Sequence, residues 1–378
     1  MNRAIHRKPP LATSTTVGRR ARQPEAGGIL LPILVILVLI IGGISVFVGT
    51  YTPKQRPAPT ETVEATPQRL ARGAYLAENV FGCFDCHSKL DLKRFGAPPI
   101  GPKGAGGDCF GEAEGFPGTV CGSNITPDPE TGLGAWTDGE VMRAVREGVS
   151  RDGRGLFPMM PYTQYRAISD DDLRAVVAYL RSLPPVKNAV PATQVKFPVS
   201  FFVKLAPQPL DGPVASPDQN DPVAYGKYLA KVSGCQFCHT PVDKKHQPIA
   251  GMDFSGGQEF PGPWGIVRSA NITPHATGLG ERDQQAFVGQ FKAFDIAPEE
   301  LPAVEAKDNT VMPWLSRAKM TEADLGAIYA FLKTVKPIER TVEKRTHPAL
   351  PPPAPAAEAE GQAADAGAPS GTAPPAAP

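Results

Sequence analysis

Aromatic side chains are scarce in this chain of 378 residues, at 7% of the total. Charge of one sign hardly predominates either, since 39 basic residues face 38 acidic ones. A net charge of +1 offers no bulk electrostatic basis for binding nucleic acid. Cysteine is sparse, with six in all, and four of those fall in two short runs. Histidine is also limited to six residues. Charge is missing altogether from Ile29 to Gly49, a stretch of 21 residues.

The two cysteine runs are CFDCH at Cys83, Cys86 and His87, and CQFCH at Cys235, Cys238 and His239. Each sets two thiols one helical turn apart beside an imidazole, the attachment pattern of a c-type haem. The thiols would hold the macrocycle as thioethers, and His87 and His239 would ligate the iron. A zinc site would want further thiolates or histidines at ligand spacing, and too few remain. A redox pair has no need of the histidine, still less twice. Two covalent haem c groups are therefore expected, and such large apolar cofactors would offset thin cores.

An iron held by one histidine needs a second ligand or an open site. Downstream of each run stands methionine, proline and an aromatic: Met160-Pro161-Tyr162 and Met312-Pro313-Trp314. Each methionine lies nine residues before a helix-capping residue, Ser169 or Thr321. A thioether is a soft, neutral donor that favours reduced iron. Met160 and Met312 are the expected distal ligands, with Met159 a competitor for the first iron. The alternative is that these methionines are core filler. His246, in a polar stretch, and His275, without a counterpart in the first half, are weak rivals.

The second half of the chain repeats the first. GAYLAENVFGCFDCH corresponds to GKYLAKVSGCQFCH, one residue shorter, and SNITPDPETGLG corresponds to ANITPHATGLG. Cys83 and Cys235, Ser169 and Thr321, and Pro185 and Pro337 are each offset by 152 residues. This implies two separately folded domains, over 67–186 and 222–338, joined by a proline-studded segment over 187–221. Within that segment VSFFVKLA is too apolar for a free linker and is expected to pack on or between the domains. Thr137 with Glu140 forms a capping box, and Ser169 with Asp172 resembles one. Arg143, Arg146, Arg151 and Arg154 read as a solvated face, or as one partner for a haem propionate. The two Asn-Ile-Thr triplets match a glycosylation sequon but precede proline in loops expected beside the haem, and read as structural.

The uncharged run over 29–49 would form a helix ~31 Å long, about one hydrocarbon core. The basic segment before it, over 1–28, is expected to stay cytoplasmic, which sends the remainder to the periplasmic side. A cleaved signal peptide is the alternative. In an oxidising compartment Cys109 and Cys121 are expected to pair, against the alternative of two free thiols. From residue 346 to 378 the Pro/Ala/Gly-rich tail lacks the apolar surface needed to order itself.

Both repeats resemble class I cytochrome c domains. More narrowly, NITPDPETGLG, WTDGEVMRAVREGVSRDGRGLFPMMPY and SDDDLRAVVAYLRSLPPV resemble the cytochrome c subunits of periplasmic alcohol, gluconate and related dehydrogenases. The resemblance covers about Pro67 to Pro337. It implies an all-α fold with two tandem domains, and close crossings of first and last helices at Gly73 and Gly226 under Tyr179 and Phe331. It implies an electron carrier rather than an enzyme, with redox protein partners: a dehydrogenase, a quinol-oxidising complex or a terminal oxidase. The chain departs from those subunits in having two haem runs rather than three, and an N-terminal rather than C-terminal span. The rival reading is a dihaem peroxidase with one open haem; a haem-based sensor lacks any signalling domain.

Overall fold

The computed structural model describes residues 27–262 and 264–347. The basic leader and the tail read from the sequence lie, except for their innermost residues, outside the described residues. The chain divides into two compact units between Thr52 and Pro53. The first contains helix α1 (Gly27–Thr50). Its residues Leu31–Thr50 have a mean hydropathy of 3.0, so α1 is long and apolar enough to cross a membrane. Ser45 and Thr50 donate their hydroxyls to the carbonyls of Ile41 and Val46, so these polar groups are satisfied within the helix.

The second unit holds both repeats. The first comprises α2 (Pro67–Tyr75), α3 (Phe84–His87), α4 (Asp138–Glu147), α5 (Tyr162–Tyr165) and α6 (Asp170–Ser182). After α7 (Val199–Leu205), the second comprises α8 (Pro222–Val232), α9 (Cys235–His239), α10 (Gln284–Lys292), α11 (Trp314–Ala318) and α12 (Glu322–Leu332). Local chemistry starts these helices where capping residues stand. Thr66, Thr137, Ser169, Asp221, Asp283 and Thr321 each accept a backbone N–H of the first turn. The extra residue that the first repeat carries before Cys83 is absorbed in a π-helical turn, Leu76–Val80, following α2. The shorter second copy runs as regular α-helix to Val232.

In each repeat the first helix lies across the last, α2 on α6 and α8 on α12. A Cβ at Gly73 would sit 1.9 Å from the Ala175 carbonyl oxygen, and one at Gly226 would sit 1.8 Å from that of Ala327. Only glycine permits this approach, and Leu76, Val80, Leu173, Val176, Leu229, Leu325 and Leu332 bury themselves around it.

The all-α expectation does not hold; the fold is mixed. Eight short strands form three antiparallel sheets among the described residues. One pairs β1 (Lys89–Leu90) with β2 (Pro99–Ile100). The second joins β3 (Cys109–Phe110), β4 (Gly118–Cys121) and β5 (Gln194–Val195). The third joins β6 (Glu259–Gly262), β7 (Gly265–Arg268) and β8 (Arg345–Thr346). The reason is that long loops follow each Cys-x-x-Cys-His run, and their backbone groups need partners. In both repeats the chain doubles into a hairpin, then returns after the last helix to add a third strand. Helical periodicity gives no sign of such short strands. Cys109 and Cys121 face each other across β3 and β4 and are disulfide-bonded.

The segment after α1 is strapped to the first repeat rather than free. Arg56 pairs with the buried Glu147, Glu61 pairs with Arg174, and the Val63 N–H donates to Asp138. α7 forms within the apolar stretch, but none of its residues is buried, and Phe202 is 59% exposed.

The repeats dock through a reciprocal pair of contacts. The Tyr75 hydroxyl donates to Asp324 at 2.5 Å and accepts the Thr321 N–H. Tyr228, at the matching position, donates to Asp172 at 2.7 Å and accepts the Ser169 N–H. Asp172 also takes both arms of Arg72. Burial and these carboxylates push both phenols well above the usual tyrosine range. Each tyrosine thus holds its proton more tightly folded than unfolded. Stability is complete below about pH 10, the ordinary tyrosine pKa, and is lost as pH rises beyond it. Denaturant midpoints measured from pH 8 upward should fall above about pH 10, and less so in Y75F/Y228F. At neutral pH each single Tyr→Phe change should cost roughly 1–3 kcal/mol, since a half-satisfied carboxylate is left behind. Removing the Cys109–Cys121 bond as C109S/C121S should cost roughly 2–3 kcal/mol by chemical denaturation, as a short loop is released.

Candidate haem-iron sites

Each Cys-x-x-Cys-His run is built on a short helix, α3 with Cys83 as its helical N-cap residue, or α9, so its two cysteines lie one turn apart on a common side. In the first run the Cys86 and His87 N–H groups both bond to the Cys83 carbonyl. In the second, Gly234 enters the left-handed region at φ 83° to start the turn, and the Cys238 N–H bonds to its carbonyl.

The two histidines are oriented identically. His87 Nδ1 lies 2.6 Å from the Ser123 carbonyl oxygen, and His239 Nδ1 lies 2.7 Å from that of Ala270. A carbonyl only accepts, so Nδ1 carries the proton and Nε2 is left with its lone pair for a metal. Burial lowers both imidazoles below the usual histidine range, with the carbonyl bond opposing, and so keeps them neutral.

Those two carbonyls are held by the Asn-Ile-Thr triplets. Asn124 donates to the Thr131 hydroxyl and the Val186 carbonyl, and accepts both the N–H and hydroxyl of Thr126. Asn271 repeats this with Thr277, Ile338 and Thr273. Each triplet therefore ties the loop carrying the histidine's acceptor to the chain leaving the last helix.

A cavity of about 510 Å³ in the second repeat brings the sequence-singled residues together. Cys235, Cys238, His239 and Met312 line it, with apolar walls from Ile272, Leu279, Phe287, Phe291, Leu325 and Ile328. In the first repeat Cys83, Ile125, Leu133, Trp136 and Met160 pack against the buried apolar cluster that runs through both repeats. Met160, and not Met159, joins that cluster. The backbone turn is shared: the Tyr162 N–H bonds to the Met160 carbonyl, and the Trp314 N–H to that of Met312, each at 2.8 Å.

The cysteine surroundings suit neutral thioethers better than thiolates. Although Cys86 is exposed and the other three are half-buried, desolvation pushes Cys83 up to about 12 and Cys86 and Cys238 up to about 11. Cys235 moves the same way. Among the described residues no cluster of three or more His, Cys, Asp or Glu could hold a separate metal ion. The donor set, the apolar walls and the free Nε2 atoms all fit a covalently attached haem.

Of the four arginines ahead of Met160, Arg151 and Arg154 are exposed and the other two are not. Arg143 and Arg146 are buried, the first donating to the Ser150 carbonyl, the second to Asp170 and the Ile168 carbonyl. Arg151 lies near Glu140, and Arg154 near Asp152.

Sequence reasoning missed how the first repeat braces the loop that leads to Met312 in the second. Asn309, buried three residues before Met312, donates to the Leu92 and Arg94 carbonyls and accepts the Gly96 N–H. Phe95 stacks on Phe294, which in turn meets Trp314. Asn309 stands at no repeated motif, so no pattern in the chain marks it. The tyrosine–aspartate pair was findable, because Tyr75 and Tyr228 recur two residues after a matched glycine.

Residues 70–184 match the family model described as cytochrome c. Over 146 residues the chain is 43% identical to a component of the nicotinate dehydrogenase of Pseudomonas putida, a match that takes in 37% of this chain and 12% of that one. It is 30% identical over 295 residues to the cytochrome c subunit of the quinone-dependent alcohol dehydrogenase of Gluconacetobacter polyoxogenes. That match takes in 74% of this chain and 59% of the subunit. A diheme cytochrome c-type protein of Cereibacter sphaeroides is 28% identical over 291 residues, covering 74% of this chain and 93% of that one. The chain thus spans less than two thirds of these two dehydrogenase relatives.

Replacing Asn124 or Asn271 by alanine should loosen the histidine's carbonyl partner. Each variant is expected to lose roughly 1–3 kcal/mol in denaturant titrations, because buried Thr126 or Thr273 and a loop carbonyl lose their partner.

Proposed function

Because residues 70–184 are a cytochrome c domain, in a chain related to cytochrome c subunits of dehydrogenases, we propose that this protein is a dihaem electron carrier. Its two tandem domains, over 67–186 and 222–338, each attach one haem c, through Cys83 and Cys86 or Cys235 and Cys238. His87 and Met160 ligate the first iron, and His239 and Met312 the second. α1 anchors the protein in the cytoplasmic membrane with both haem domains on the periplasmic side. A dehydrogenase or a quinol-oxidising complex supplies electrons, and a respiratory acceptor takes them.

The observation that carries this reading is the duplicated imidazole geometry. Two histidines at matched positions donate Nδ1–H to matched carbonyls and keep Nε2 free. A haem bound at such a site exchanges one electron at a time without proton transfer. The protein's part is to orient: the carbonyl fixes each ring, the Met-Pro turn presents each thioether, and the apolar walls keep water from the macrocycle. With Met160 or Met312 as the second ligand, a neutral sulfur would favour the reduced state of the bound group more than a second imidazole would. No substrate-transforming acid or base is required.

Intact-mass and haemochrome measurements on the full chain from membranes should find two attached haems. Absorption spectra should be low-spin with methionine ligation at both irons. M160A and M312A should each convert one haem to a form lacking that ligation. Fewer than two attached haems would overturn the proposal, and a high-spin haem in the unmodified protein would favour the peroxidase reading. Co-purification from solubilised membranes, read by mass spectrometry, should recover a dehydrogenase.

A further inference from the structure

The repeats differ at one position that lies between their attachment runs. Five residues after each Met stands Tyr165 in the first repeat and Arg317 in the second. Both do the same local task. The Tyr165 hydroxyl donates to the Phe81 carbonyl at 2.9 Å, and Arg317 Nη2 donates to the Ser233 carbonyl at 3.0 Å. Phe81 and Ser233 each stand two residues before the first cysteine of their own run.

Arg317 then does something that Tyr165 cannot. Its Nη1 donates to the Asn79 carbonyl of the first repeat at 2.9 Å. A Cβ placed on Gly82, next to Cys83, would lie 3.0 Å from that same nitrogen. Ser316, which Nη1 also contacts, donates to Asp85 inside the first run at 2.7 Å. Arg317 is only 7% exposed and lines the cavity of the second repeat. One buried guanidinium therefore touches the segments that lead into both haem attachment runs.

We propose that Arg317 is a positioning residue shared by the two redox sites: its charge raises the reduction potential of both haems, and its fork holds the two attachment segments at one spacing. The inference rests on the two-haem reading above. Reduction turns ferric iron to ferrous by one electron from a reducing mediator, with no bond made or broken. A cation nearby favours the form with one positive charge fewer, and burial limits the screening that would hide it. Asp85 opposes that field in part. A residue that merely filled space or tied down a loop would not move two potentials in the same direction.

The test is a spectroelectrochemical titration of the full chain in detergent, with haem content measured on the same sample. R317Q and R317Y, the latter restoring the first repeat's residue, should lower both midpoint potentials. R317K, which keeps the charge, should leave them near those of the unmodified protein. Y165F, which removes the matching bond without a charge, should leave the second haem's potential unchanged. D85N, with Arg317 in place, should raise both, and serves if R317Q and R317Y fail to accumulate. Two attached haems with one or neither potential lowered in R317Q, or R317K behaving as R317Q, overturns the inference alone. A D85N protein whose potentials do not rise also overturns it. Fewer than two attached haems overturns the two-haem reading and this inference with it.

Discussion

Gly73 and Gly226 leave no room for a side chain between the first and last helices of their repeats. Everything in the second unit is arranged from those two crossings. With the helices that close, Tyr75 and Tyr228 project from the crossing towards the opposite repeat, where the first turn of α12 or α6 presents an aspartate. The same packing sets the direction in which α2 and α8 deliver the chain to the cysteine runs. A one-residue insertion before Cys83 is taken up as a π-helical turn rather than passed on to the run.

Around each run the loops do what helices cannot. Long and largely irregular, they must find hydrogen-bond partners away from regular helices. Part of the answer is the three short sheets, part is the Asn-Ile-Thr ties, and part is the disulfide between β3 and β4. The carbonyls of Ser123 and Ala270 come out of this arrangement aimed at the histidines. Imidazole orientation is thus a property of the loop framework and not of the attachment run.

The interface between the repeats is polar and specific. Arg72, Tyr75, Asp172, Tyr228, Arg317 and Asp324 all have buried or half-buried partners across or beside it. Such a network fixes one relative arrangement, because a shifted docking would strand several charges at once. Arg317 joins that network to both attachment segments.

By itself the sequence determined the duplication, the cysteine and histidine pattern, the capped helix starts and the membrane-length apolar run. Those are local: spacing along the chain and the chemistry of a few neighbouring residues decide them. Ser169 with Asp172 shows where local reading stops. The serine caps α6 as its position implies, but the aspartate turns away to Arg72 and Tyr228. The strands, the strap that follows α1, the buried Arg143 and Arg146, and Asn309 against Leu92 were decided only in three dimensions. Arg56 and Glu147 are 91 residues apart and Asn309 and Leu92 are 217 apart, and strands of two to four residues are too short for a periodicity to be read. The reciprocal docking and the place of Arg317 between two runs belong to that second class, because no single segment contains both halves of either contact.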